Sequence, residues 1–227
     1  MIKPFPFLSD DRCGERLFFF DFWNEMMYNE GERGYAGMIL FINACVRRES
    51  RTKRLADFLL SQLRGRVEEV RLSEMTFPVA DESFLRKRDR LIAEGKYDDP
   101  MFDPARRFAS ADRIVIAAPF WDLSFPAALK QYLEQINVVG ITFRYSEEGI
   151  PQGLCRAGEM YYVTTAGGLF LPEDYGFGYV KALAEGFYGI PRVRLISAAG
   201  LDIDGADEEG ILRDCMDEII DHWEENA

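Results

Sequence analysis

The chain has one histidine, His222, and four cysteines, Cys13, Cys45, Cys155 and Cys215, none of them at a metal-binding spacing. That set argues against a zinc centre, and cysteines this scattered read as reduced thiols, not as a disulfide framework. His222 sits in an acidic, helical stretch near the end of the chain and reads as a surface residue. No apolar run is long enough to span a bilayer. The opening residues, Met1-Ile2-Lys3-Pro4-Phe5-Pro6, lack the pattern of a signal peptide, so a cytoplasmic location is expected. Positive charge is also short: 27 Lys and Arg against 39 Asp and Glu leave a net charge of −12. Nucleic acid and anionic membrane are poor partners for such a surface, and a small-molecule ligand suits it. Neither a Gly-x-x-x-x-Gly-Lys loop nor a Gly-x-Gly-x-x-Gly fingerprint is present. There is no internal repeat and no low-complexity segment.

What is present divides unevenly. Residues 1–37 carry a dense aromatic patch, Leu17-Phe18-Phe19-Phe20-Asp21-Phe22-Trp23, and a glycine-rich linker, Glu30 to Gly37. They are expected to be an extension or a gene-model artefact, with the domain proper spanning 38–227. From Met38 the chain alternates. Apolar runs at 38–43, 113–117, 160–164 and 193–197 read as buried strands, and Val67–Leu72 alternates apolar and charged residues as a half-buried one. Helical spacing fills the intervals, and the terminal helix carries Ile211, Leu212, Cys215, Ile219 and Ile220 as its apolar stripe. Gly140–Tyr145 has strand character and turns at Ser146–Gly149. Strands separated by helices predict an α/β domain with a five-stranded parallel sheet, order 2-1-3-4-5, and helices on both faces. A ligand is then expected at the carboxyl ends of the strands.

Three loops share that rim. In the first, Ser50, Arg51 and Thr52 open a helix. Hydroxyls, a guanidinium, free N–H groups and the helix dipole suit a phosphate; an ordinary serine cap with solvated charges fits the same residues. In the second, Pro119, Phe120, Trp121, Asp122 and Leu123 put three bulky apolar residues into four positions of a loop bracketed by prolines. They read as a wall for a flat ligand or as plugs over the end of the sheet. The third, Thr165, Ala166, Gly167 and Gly168, follows a core strand, and paired glycines let backbone approach a ligand closely. Phosphate site, apolar shelf and glycine loop together suit a mononucleotide with a planar head, and FMN better than ATP.

In this order, Ser50-Arg51-Thr52, Ala118-Pro119-Phe120-Trp121-Asp122-Leu123-Ser124-Phe125-Pro126 with Leu129-Lys130, Gly140–Tyr145, and Thr164-Thr165-Ala166-Gly167-Gly168 resemble the flavodoxin-like NAD(P)H:quinone oxidoreductases and FMN-dependent NADH-azoreductases. The resemblance covers Met38 to about Trp223. It implies FMN, with its phosphate at Ser50, Arg51 and Thr52. The ring would lie against Pro119, Phe120, Trp121, Asp122 and Leu123, with Thr165, Ala166, Gly167 and Gly168 on its other edge. It also implies a homodimer with the flavin at the interface, and NADH or NADPH as co-substrate for a quinone, azo or nitro acceptor. Arg144, Tyr145 and Tyr188 are candidates for shaping the substrate slot, and no side chain need act as acid or base. Two residues depart from the azoreductase pattern: Asp122 replaces a common Asn, and Ala166 replaces a common Arg before the glycines. A carboxylate beside the ring would disfavour added negative charge and lower the potential. A flavodoxin-type electron carrier, or a subunit of this fold without flavin, are the rival readings.

Overall fold

The computed structural model describes residues 37–224, with side chains to residue 221. The reading of residues 1–36 as an extension, and that of His222, lie outside the described residues and side chains.

Among the described residues, seven strands and six α-helices follow one another. They are β1 (Met38–Asn43), α1 (Arg51–Gln62), β2 (Arg66–Arg71), α2 (Glu82–Ala93), α3 (Asp103–Ser110), β3 (Arg113–Ala117), α4 (Ala127–Ile136), β4 (Phe143–Tyr145), β5 (Pro151–Gly153), β6 (Glu159–Thr165), α5 (Phe177–Leu183), β7 (Arg192–Ala198) and α6 (Glu208–Glu224). Five strands form one parallel sheet in the order β2-β1-β3-β6-β7. Counted over the sheet alone, that is the expected 2-1-3-4-5. The Gly140–Tyr145 segment goes elsewhere: β4 pairs antiparallel with β5, with Phe143 opposite Gly153, as a separate ribbon.

The central strands are nearly continuous apolar runs because both faces are covered. Alternate residues point to opposite sides. Leu40, Ile42, Ile114, Ile116, Met160 and Tyr162 pack with Phe108, Leu129, Leu133 and Val180 from α3, α4 and α5. Ile39, Phe41, Val115, Tyr161 and Val163 pack with Leu55, Leu59, Leu212, Cys215 and Ile219 from α1 and α6. At the edge, β2 buries only Val70, which explains its alternating sequence. Of the stripe expected on α6, Leu212, Cys215 and Ile219 are buried, whereas Ile220 is exposed. No described helix is long and apolar enough to cross a membrane.

All five sheet strands run the same way, so the loops after β1, β3, β6 and β7 emerge on one rim. Hydrogen bonds lace them in strand order. The Ala44 N–H donates to Ala117 O (2.8 Å), Ala118 N–H to Val163 O (2.9 Å), Phe120 N–H to Thr165 O (3.1 Å) and Ala166 N–H to Ala198 O (2.9 Å).

Candidate functional site

The first rim loop is organised by Asn43, which the sequence reading passed over. Its side-chain carbonyl accepts from the Cys45 N–H (2.9 Å) while its amide donates to Glu69 Oε1 (2.8 Å). That fixes how the chain leaves β1. Ser50 caps α1: its Oγ accepts from the Lys53 N–H (3.3 Å), and its carbonyl from the Arg54 N–H (3.0 Å). Among the described residues, the backbone N–H groups of Arg51 and Thr52 have no acceptor. Two orphan donors at the positive end of a twelve-residue helix are what a phosphate oxygen needs. Beside them stand Arg47 and Arg48, both exposed.

Thr52 and Thr165 meet. Their hydroxyls are 2.6 Å apart and buried, joining the first turn of α1 to the end of β6. One hydroxyl is used as donor between them, and the other keeps a proton to give. Thr52, itself 1% exposed, can address a ligand chiefly through its backbone. The Cys45 thiol lies beneath this loop, and burial raises it to about 11, so it is a neutral packing group at neutral pH.

The second loop is a two-residue hairpin. Trp121 N–H donates to Ser124 O (3.2 Å) and Ser124 N–H to Trp121 O (2.8 Å). Its two central residues, Asp122 and Leu123, have φ of 51° and 64°, the left-handed region that a type I′ turn requires and that Asn-Gly normally fills. A leucine there is strained. The turn raises the Trp121 ring and the Leu123 side chain off the sheet, 41% and 45% exposed. Phe120 and Pro119 are half-buried behind them, and Phe120 helps line a cavity of about 10 Å³ with Tyr162, Thr164 and Phe177. The Thr164 hydroxyl is buried without a partner, and the cavity has room for about one water. The paired Trp121–Ser124 hydrogen bonds thus hold an open apolar shelf in place despite the strain.

In the third loop the two glycines differ. A Cβ on Gly167 would overlap the Asp202 carboxylate, whereas one on Gly168 would meet nothing. Gly167 is thus glycine because of a neighbour within the chain, and only Gly168 leaves space open to a ligand. Asp202 N–H donates to Gly167 O (2.9 Å), and Gly200 N–H to Gly168 O (2.9 Å). Asp202 also reaches the first loop: Arg51 Nη1 lies 2.7 Å from its Oδ1, 3.2 Å from Glu208 Oε2, and donates to Leu201 O (3.1 Å). The Arg51 guanidinium, and more weakly Arg47, hold the Asp202 carboxyl below its usual range. Neither Asp202 nor Glu208 carries a recognisable motif, and only their position opposite Arg51 marks them.

The slot candidates fare differently. Tyr188 is a correction: its ring is 0% exposed, packs edge-on against Phe108 and donates its hydroxyl to Asn137 Oδ1 (2.9 Å). It is a core residue because a π-turn, Ala184–Tyr188, rotates it inward. Arg144 and Tyr145 are exposed on the ribbon, where Arg144 Nε donates to Gln152 (3.0 Å) and Tyr145 packs on Phe143. They lie outside the lacing of the three loops. Further exposed apolar residues not foreseen as site residues are Leu169 and Phe170, 76% and 70% exposed, just past the glycines.

A family model described as flavodoxin-like fold matches residues 38–222. The FMN-dependent NADH:quinone oxidoreductase 2 of Clostridium acetobutylicum is 36% identical over 199 residues, covering 82% of this chain and 98% of that protein. The FMN-dependent NADH:quinone oxidoreductase of Clostridium beijerinckii is 33% identical over 188 residues, covering 79% and 94%. Among solved structures, an FMN-dependent NADH-azoreductase from Bacillus anthracis str. Ames Ancestor in complex with FMN superposes with a TM-score of 0.69 at 23% identity. It covers 84% of this chain and 99% of that one, a likeness of fold.

Proposed function

The chain belongs to the flavodoxin-like family, and from that membership we propose that it is an FMN-dependent oxidoreductase that passes reducing equivalents from NADH to a quinone. The relatives that are a third identical over nearly their whole length carry that description in their names. The observation on this chain that supports it best is the pairing on one rim of two orphan helix donors with an open apolar shelf, tied together by the Thr52–Thr165 bond.

The residues fit FMN. The N–H groups of Arg51 and Thr52 would take phosphate oxygens. Ser50, already capping the helix, would hold the loop in register. Trp121 and Leu123 would cover one face of the ring, with Phe120 and Pro119 as backing. Gly168 would admit the other edge, and backbone groups at Thr165 and Ala166 would flank it. FMN, when bound, supplies the hydride chemistry. The chain's contribution is to orient the ring, exclude water from one face and set the local charge. Asp122 stands in the shelf turn, and a carboxylate there disfavours added negative charge on the ring.

Azo and nitro compounds are further acceptors in this reading, NADPH is the alternative co-substrate, and the cytoplasm is the expected location. The exposed pair Leu169 and Phe170 beside the glycine loop supports a homodimer closing over the site. Purified protein is expected to be yellow, or to become so with FMN, and to oxidise NADH with menadione as acceptor. A flavin-loaded protein without turnover would return the electron carrier to first place, and a colourless one that FMN does not change would remove the cofactor.

A further inference from the structure

Three cations stand on the first turn of α1, and their partners differ. Lys53 pairs along the helix with Asp57 (2.6 Å). Arg54 meets Glu209 in a fork, with both bonds 2.8 Å. Each of those pairs is one charge against one. Arg51 faces two carboxylates through a single nitrogen, Asp202 at 2.7 Å and Glu208 at 3.2 Å, as well as the Leu201 carbonyl. Those three groups sum to −1, with Arg47 acting more weakly on Asp202. Asp202 is not a side chain that swings by: its N–H is bonded to Gly167 O, and its carboxylate occupies the space that the missing Cβ leaves. A dianionic phosphate arriving at the orphan N–H groups of Arg51 and Thr52 therefore meets a guanidinium already engaged by two carboxylates.

We propose that Asp202 and Glu208 set how tightly and how selectively this protein holds a phosphorylated flavin, by competing with the ligand's phosphate for Arg51. This inference rests on the FMN reading above. It makes the two carboxylates determinants of cofactor specificity that act through Arg51 and touch no reacting atom. Their charge acts through Arg51 on the phosphate, so they lower affinity for FMN more than for riboflavin, which has the same ring and no phosphate. Both carboxylates are solvent-exposed, 65% and 40%, so screening limits the effect to a few-fold and salt diminishes it.

The test is the dissociation constant of FMN and of riboflavin, by quenching of flavin fluorescence, for the full chain and for Asp202→Asn and Glu208→Gln. Asparagine keeps the shape beside Gly167 and the backbone bond. Asp202→Asn is expected to bind FMN about three- to fivefold more tightly at low salt, and Glu208→Gln about twofold, with riboflavin gaining less and the FMN gain shrinking in high salt. Unchanged or weakened FMN binding in both variants overturns the proposal, as does a gain shared equally by riboflavin. Should Asp202→Asn fail to fold, Glu208→Gln alone decides, because its side chain lies on the exposed first turn of α6. A parent protein that binds neither flavin defeats the FMN reading itself; one that binds both with a ratio the variants do not move defeats only this inference.

Discussion

The two ends of the same parallel sheet are built on opposite terms. At the amino end, charge is gathered and the carboxylates of Glu159 and Asp112 have partners. Glu159, buried at the start of β6, lies 3.1 Å from Arg194, 3.7 Å from Arg113 and 4.0 Å from Arg192. Asp112 accepts from the Met38 N–H (2.7 Å) and pairs with Arg156 (2.6 Å). At the carboxyl end, the described residues leave things open: helix donors without acceptors, a tryptophan and a leucine facing out, two exposed arginines in the loop before α1, and a hairpin turn in a strained conformation. Each of these would lower the stability of a protein selected for stability alone. Their concentration at one end marks that end as the place where function was favoured over stability.

The contrast can be broken by substitution at either end. Glu159→Ala leaves three guanidinium groups crowded around a vacated carboxylate site, and is expected to lower unfolding stability by about 2–4 kcal/mol, the arginines being partly solvated. Denaturant unfolding measures the loss, and the dissociation constant of FMN for the folded fraction should not move. Trp121→Ala reverses the pattern. It removes an exposed ring, so stability should stay within about 0.5 kcal/mol while FMN binding weakens roughly tenfold. Unchanged affinity would show that the shelf carries no ring.

The smallest effect is the most pointed. Leu123→Gly relieves a left-handed leucine that is 45% exposed, and should raise stability by about 0.5–1 kcal/mol after the added unfolded-state entropy is set against the relief. Flavin binding should fall at the same time. Opposite signs in thermal unfolding and flavin titration would tie the strain to the site, whereas a loss of stability would show that the turn is comfortable as it stands.

The sequence by itself determined the sheet. Apolar runs such as Ile39–Ile42 and Ile114–Ala117 have no stable place except between two layers, and their spacing with helices leaves few topologies. It also marked the rim, because a bracketed cluster such as Phe120, Trp121 and Leu123 and a pair of glycines after β6 are local signals. Tertiary structure alone decided the rest. Tyr188 read as a residue shaping the substrate slot and is a core one, since a π-turn shifts which face the ring occupies and periodicity does not register that shift. Gly140–Tyr145 read as a strand, of which only Phe143–Tyr145 is one, and it lies in a ribbon of its own, since strand character does not specify a partner. Gly167 read as an opening to a ligand and is filled by Asp202. Asp202 and Glu208 gave no sign at all. They lie more than 150 residues from Arg51 along the chain, and a charge acquires its meaning from what the fold sets opposite it.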